Sequence, residues 1–204
     1  MSEKLLDQLN EAQREAAACT EGPVMIIAGA GSGKTRTLTY RIAHLIETGV
    51  DPFNILALTF TNKAAGEMKE RIINLVGSSA KDIWMGTFHS VFARVLRSEA
   101  DKLGYNRSFT IYDNDDSKSL IKSIVKNLDL DPKTYSPGYV LSRISMAKSN
   151  LIGPEDYVNN PEIMQTDITA KKPEIGQIYA IYNKRLRNSM AMDFDHLLYC
   201  FFNA

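Results

Sequence analysis

The run "VMIIAGAGSGKTRT" (24–37) most narrows what this chain can build. Its apolar start reads as a short buried strand ending at Ala28, and three alternating glycines follow. Leu38, Arg41, Ile42, Leu45 and Ile46 then keep helical spacing until Gly49 and Pro52. Strand, glycine-rich loop and helix in that order form a phosphate cradle. Gly29, Gly31 and Gly33 can take backbone angles that turn successive N–H groups inward, and the helix N-terminus adds partial positive charge. Lys34 is placed to reach β- and γ-phosphates as a point charge, and Thr35 to give its hydroxyl to Mg²⁺. Ala28 stands where G-x-x-x-x-G-K-[ST] has its first glycine; a small side chain suffices at a strand end.

The alternation continues. "ILALTF" (55–60), "IWMGT" (83–87) and "FTIY" (109–112) read as further strands, separated by helical patterns on Ala65, Met68, Ile72 and Leu75 and on Phe88, Val91, Phe92, Val95 and Leu96. Short strand–helix repeats predict a parallel sheet covered by helices on both faces, with functional loops at the C-terminal strand ends. The phosphate loop, "TFTNKA" and "GTFHS" all fall at such ends. Beyond Asp113 the period is helical throughout, with Leu120, Ile121, Ile124, Val125 and Leu128 on one face and Ser136-Pro137 as a helix start. The expected organisation is a first stretch of α/β core (1–112), an all-helical insertion (113–190) and a return to the core (191–204).

Among the 204 residues, 24 basic and 24 acidic side chains cancel, so net charge neither requires nor excludes a nucleic-acid partner. Cys19 and Cys200 form no metal-ligand pattern and fit a reducing compartment. No apolar run is long enough to cross a bilayer, and the first ten residues are too polar for a signal peptide, so a cytoplasmic protein without a membrane partner is expected.

Taken together, "LNEAQREA" (9–16), "AGAGSGKTR" (28–36), "LALTFTNKAAGEMKERI" (56–72), "GTFHS" (86–90) and "MDFDHLL" (192–198) resemble the UvrD/Rep/PcrA DNA helicases of superfamily 1, in order and rough spacing. The resemblance implies a P-loop (RecA-like) motor core with an inserted helical subdomain. It also implies ATP and Mg²⁺ as ligands and 3′ to 5′ movement on single-stranded DNA, in DNA repair or replication restart. Carried over by position, Gln13 reads the adenine edge. Ala28, Gly29, Ala30, Gly31, Ser32, Gly33, Lys34 and Thr35 hold the phosphates and metal, and Arg36 lies near the nucleotide. Phe60, Thr61, Asn62 and Lys63, with Thr87, Phe88, His89 and Ser90, contact single-stranded DNA. Further implied partners are single/double-strand junctions and repair proteins, with a monomer as the expected state.

The residues alone leave a plainer reading of the second group open: core phenylalanines and helix-capping hydroxyls. Lys118, Lys122 and Lys126 share one helix face, which suits a duplex backbone or simply solvent. Two features depart from the family. His196 stands where a second acidic residue is usual, although Asp193 and Asp195 are kept. The acidic D-E-x-Q-D strand end does not occur within the 204 residues, so this stretch alone is expected to turn over little ATP. Asp113, ending an apolar strand, is the alternative carboxylate near Mg²⁺, against a helix cap. A nuclease-linked RecB- or AddA-type helicase and a P-loop NTPase of another class are the competing functions.

Overall fold

The computed structural model describes residues 5–202 as mixed α/β, mostly helical, with parallel strands. The chain divides into two compact units, residues 1–91 and 92–204.

In the first unit, α1 (Glu11–Ala18) and α2 (Lys34–Glu47) precede β1 (Leu56–Thr59), α3 (Asn62–Val76) and β2 (Trp84–Thr87). β1 and β2 pair in parallel, Leu56 opposite Trp84 through Thr59 opposite Thr87. α3 forms because Thr61 caps its start, accepting from the Ala64 N–H at 3.2 Å, and because Ala65, Met68 and Ile72 recur on one face. That face is buried with Ile42, Ile55, Ala57 and Ile83. A second cluster gathers Leu5, Leu6, Leu9, Ala17, Tyr40 and Ala43. Near the end of β2, a Cβ on Gly86 would lie 2.5 Å from the Ser90 hydroxyl oxygen and 3.0 Å from a Val91 methyl, so a larger residue would make those side chains shift.

Helix α4 (Phe88–Ser98) leads into the second unit, where β3 (Thr110–Tyr112) pairs in parallel with β4 (Ala191–Asp193). Between these strands run α5 (Asn114–Asn127), α6 (Pro137–Ser149), α7 (Pro154–Asn159), α8 (Pro161–Thr169) and α9 (Ile175–Asn188); α10 (Phe194–Phe202) follows β4. Ile175, Ile178, Tyr179, Tyr182 and Leu186 keep helical spacing along α9 and are buried against Ile121, Ile124, Val140 and Ile144. Each fully buried aliphatic side chain here contributes about 1.5–3 kcal/mol. A buried polar group sits beside this core. Arg143 donates to Asp167 at 2.9 Å, as does the Tyr157 hydroxyl, whose own pKa burial and Asp167 push up to about 12.

Three of the four expected strands form, and no described residue between 113 and 190 is in a strand. The expectation for 24–28 needs correction. This run has no strand assignment, and Met25 and Ile27 are 82% and 86% exposed. Its apolar composition suits a sheet interior, but a strand needs a neighbour for its N–H and C=O groups. None of the described residues pairs with it. Asp113 is also settled locally: it caps α5, accepting from Asp115 N at 2.8 Å and Asp116 N at 2.9 Å, while Asp116 accepts in return from Asp113 N.

Candidate nucleotide and nucleic-acid sites

The phosphate loop has the backbone its sequence asks for at two of three glycines. Gly31 and Gly33 have φ of 77° and 85°, whereas Gly29 stays outside the left-handed region. Gly33 is the N-cap of α2, so Lys34, Thr35 and Arg36 form that helix's exposed first turn. The Lys34 ammonium donates to Ala28 O at 2.9 Å and Gly29 O at 2.7 Å, and the Ser32 hydroxyl donates to Gly29 O at 2.7 Å. The loop is therefore closed over its own lysine.

Gln13 reaches this loop from α1. Its amide donates to Ser32 O at 2.9 Å, while its other end completes the capping box with Asn10. The contact is close: a Cβ on Gly33 would lie 2.6 Å from the Gln13 amide nitrogen, so a larger residue would push that side chain aside, while the φ of 85° is what favours glycine. Arg36 turns to the same N-terminal segment, donating to Gln8 O at 2.8 Å and lying 5.3 Å over the Tyr40 ring. A hollow of about 350 Å³ opens beside it, lined by Arg36, Thr39, Tyr40, Arg71, Asn74 and Leu75. The residues present suit a nucleoside triphosphate: a helix N-terminus, the Lys34 charge and an exposed Thr35 hydroxyl beside it.

The second group of residues sits where the paired strands end. Phe60, just past β1, is 93% exposed, and Phe88, just past β2, is 37% exposed. Their rings lie 5.9 Å apart, tilted by 42°. Among the described residues, Phe60 is not part of a core. The capping reading holds for two hydroxyls: Thr61 caps α3, and Thr87 accepts from Ser90 N at 3.2 Å. Asn62 and Lys63 are exposed in the first turn of α3, and His89 is half-buried. Phe194, which motif spacing does not single out, repeats the pattern at the exit of β4 in the second unit and is 46% exposed. The available signal is its position: an aromatic residue directly after a short apolar strand.

The second unit also contains a buried polar cluster behind Phe194. Asp193 accepts from the Lys148 ammonium at 2.6 Å and the Tyr182 hydroxyl at 2.7 Å through one oxygen, and from His196 N at 2.6 Å through the other. Burial alone would raise the Asp193 pKa, but Lys148 and these hydrogen bonds hold it below the usual carboxylate range. His196 is 5% exposed; its Nε2 lies 3.2 Å from the Tyr105 hydroxyl, and its Nδ1 finds no partner among the described residues. Burial, with the Lys148 charge second, lowers its pKa from 6.5 to about 4. The folded state thus binds fewer protons than the unfolded chain between those pH values. His196 stabilises the fold above pH 6.5, and this contribution falls away as pH drops toward 4, by about 3 kcal/mol in all. Denaturant melts of His196→Gln should show a visibly flatter pH dependence across this window; an unchanged slope would contradict it.

Among the described residues, no group of three or more His, Cys, Asp or Glu could hold a metal, and no helix is long and apolar enough to cross a membrane. Residues 9–204 match the family described as UvrD/REP helicase N-terminal domain. The chain is 46% identical over 199 residues to the ATP-dependent DNA helicase PcrA of Bacillus subtilis, covering 97% of this chain and 26% of that protein. It is 47% identical over 195 residues to PcrA of Staphylococcus aureus strain Mu50, covering 95% and 26%. It spans about a quarter of the length of these relatives. The match along nearly the whole chain places it in the UvrD/REP helicase family, over that family's N-terminal domain.

Proposed function

We propose that the full-length protein is an ATP-dependent DNA helicase that moves 3′ to 5′ along single-stranded DNA and engages single/double-strand junctions, in DNA repair or replication restart in the cytoplasm. The relatives' printed names support the helicase reading. The observation that carries the DNA part is the exposed Phe60–Phe88 pair at the C-terminal ends of two paired strands. A base stacked on such a ring gains roughly 1–3 kcal/mol without regard to sequence, as a translocating enzyme needs. Phe194 extends the same use of strand exits, and Lys63, Asn62 and the α3 N-terminus suit phosphates.

In this reading residues 1–112 and 191–204 belong to a P-loop motor core, and 113–190 are a helical insertion. The loop 28–35 holds the ATP phosphates, with Lys34 on the terminal phosphates. The Thr35 hydroxyl would hold Mg²⁺, which would supply charge neutralisation at the phosphates. Gln13 offers a donor and an acceptor to the adenine edge and is already tied to the loop, so base recognition and loop geometry are one device. Arg36 flanks the nucleotide.

Phe60→Ala should weaken binding of a fluorescent oligothymidylate by about tenfold; unchanged affinity would remove this ring from the DNA path. Unwinding of 3′-tailed but not 5′-tailed duplexes, dependent on ATP, tests the direction. Equal activity on both tails would overturn it.

A further inference from the structure

Position 148 continues the apolar face of α6, where Val140, Ile144 and Ala147 are buried, yet it is a lysine whose side chain is 0% exposed. A cation so placed is costly unless a carboxylate and further hydrogen bonds meet it. Asp193 does so, and its geometry shows what the pair accomplishes. The carboxylate stands at the junction of β4 and α10. One oxygen caps α10 through His196 N, and the other is held from α6 by Lys148 and from α9 by Tyr182. Lys148 also lies 5.1 Å from the centre of the Tyr182 ring. Two helices between the paired strands thus converge on one carboxylate, and the next residue in the chain is the exposed Phe194.

We infer that Lys148 is a positioning residue for DNA engagement: through Asp193 it sets the β4–α10 junction and the direction in which Phe194 leaves it. Any shift of α6 or α9 is passed to that ring through two short hydrogen bonds, with no other change in the chain needed. The inference rests on the reading that strand-exit phenylalanines contact DNA.

The test uses the full-length protein carrying Phe194→Trp as a reporter, with oligothymidylate as the probe. Difference spectra against the protein that keeps Phe194 isolate the introduced indole from Trp84 and any other native tryptophan. With Lys148 intact, this reporter emission should respond to the oligonucleotide. Adding Lys148→Met should shift the reporter emission before any DNA is present and raise the oligonucleotide concentration at half-response by about tenfold or more. Tyr182→Phe removes one donor at nearly constant volume and should move both readouts the same way by a smaller factor, which covers the case in which Lys148→Met does not fold. Variants that melt earlier but leave the reporter emission and the half-response unchanged would overturn the positioning role alone. Absence of any DNA response with Lys148 intact would overturn the DNA reading of Phe194 and the positioning role with it.

Discussion

Lys34→Ala should lower DNA-stimulated ATP turnover of the full-length protein by roughly 10²–10³-fold. The structure shows why one side chain matters this much. The loop supplies oriented N–H groups and a helix end, but Lys34 is the full positive charge among residues 28–35. Its ammonium rests on Ala28 O and Gly29 O and exchanges those contacts for phosphate oxygens when nucleotide binds. Alanine leaves the cradle in place and removes the charge, so DNA binding without nucleotide should stay close to normal. Phosphate release at saturating ATP and oligothymidylate is the measurement. Turnover within about threefold of the unsubstituted protein would show that Lys34 does not act on the transferring phosphate.

Lys148→Met should cost roughly 3–5 kcal/mol of stability. The loss comes less from the missing attraction than from Asp193, which would be left buried with its charge unmet by a cation. Tyr182 and His196 N would still donate to it, but hydrogen bonds from neutral groups replace only part of the lost compensation. Lys148→Met with Asp193→Asn should therefore regain most of the loss, because the amide can still cap α10 and no net charge remains. Chemical denaturation of the single and double variants gives the coupling directly. A single variant less than about 1 kcal/mol below the parent, or a double variant no better than the single, would contradict this account.

These two lysines differ in how visible they are. Lys34 is announced by its neighbours, because glycines on alternate positions followed by Lys-Thr have a local physical meaning. Lys148 is not. It lies 45 residues from Asp193, and in the sequence it is an ordinary cation in the last turn of a helix, where cations are common. The same contrast runs through the other motifs. Thr61 and Thr87 can be read as caps or as phosphate ligands, and backbone geometry shows them capping. Phe60 can be core or surface by its sequence, and among the described residues it is 93% exposed. His196 stands out as a departure from a pattern, but its burial beside Tyr105 and Lys148 needs coordinates.

The features legible in the residues alone are local and periodic: the loop–helix order of the cradle, the helices of 113–190 with their apolar faces, and the family. Each follows from residues within a turn or two of one another, or from motifs in a fixed order. Packing between distant segments determines which apolar runs pair and what the polar residues meet. "VMIIA" has the composition of a buried strand yet lies exposed among the described residues, since strand formation depends on a neighbour's hydrogen bonds and not on composition. The Asp193 cluster likewise exists only once α6, α9 and β4 are brought together, because a buried charge tolerates its place through partners distant in the chain.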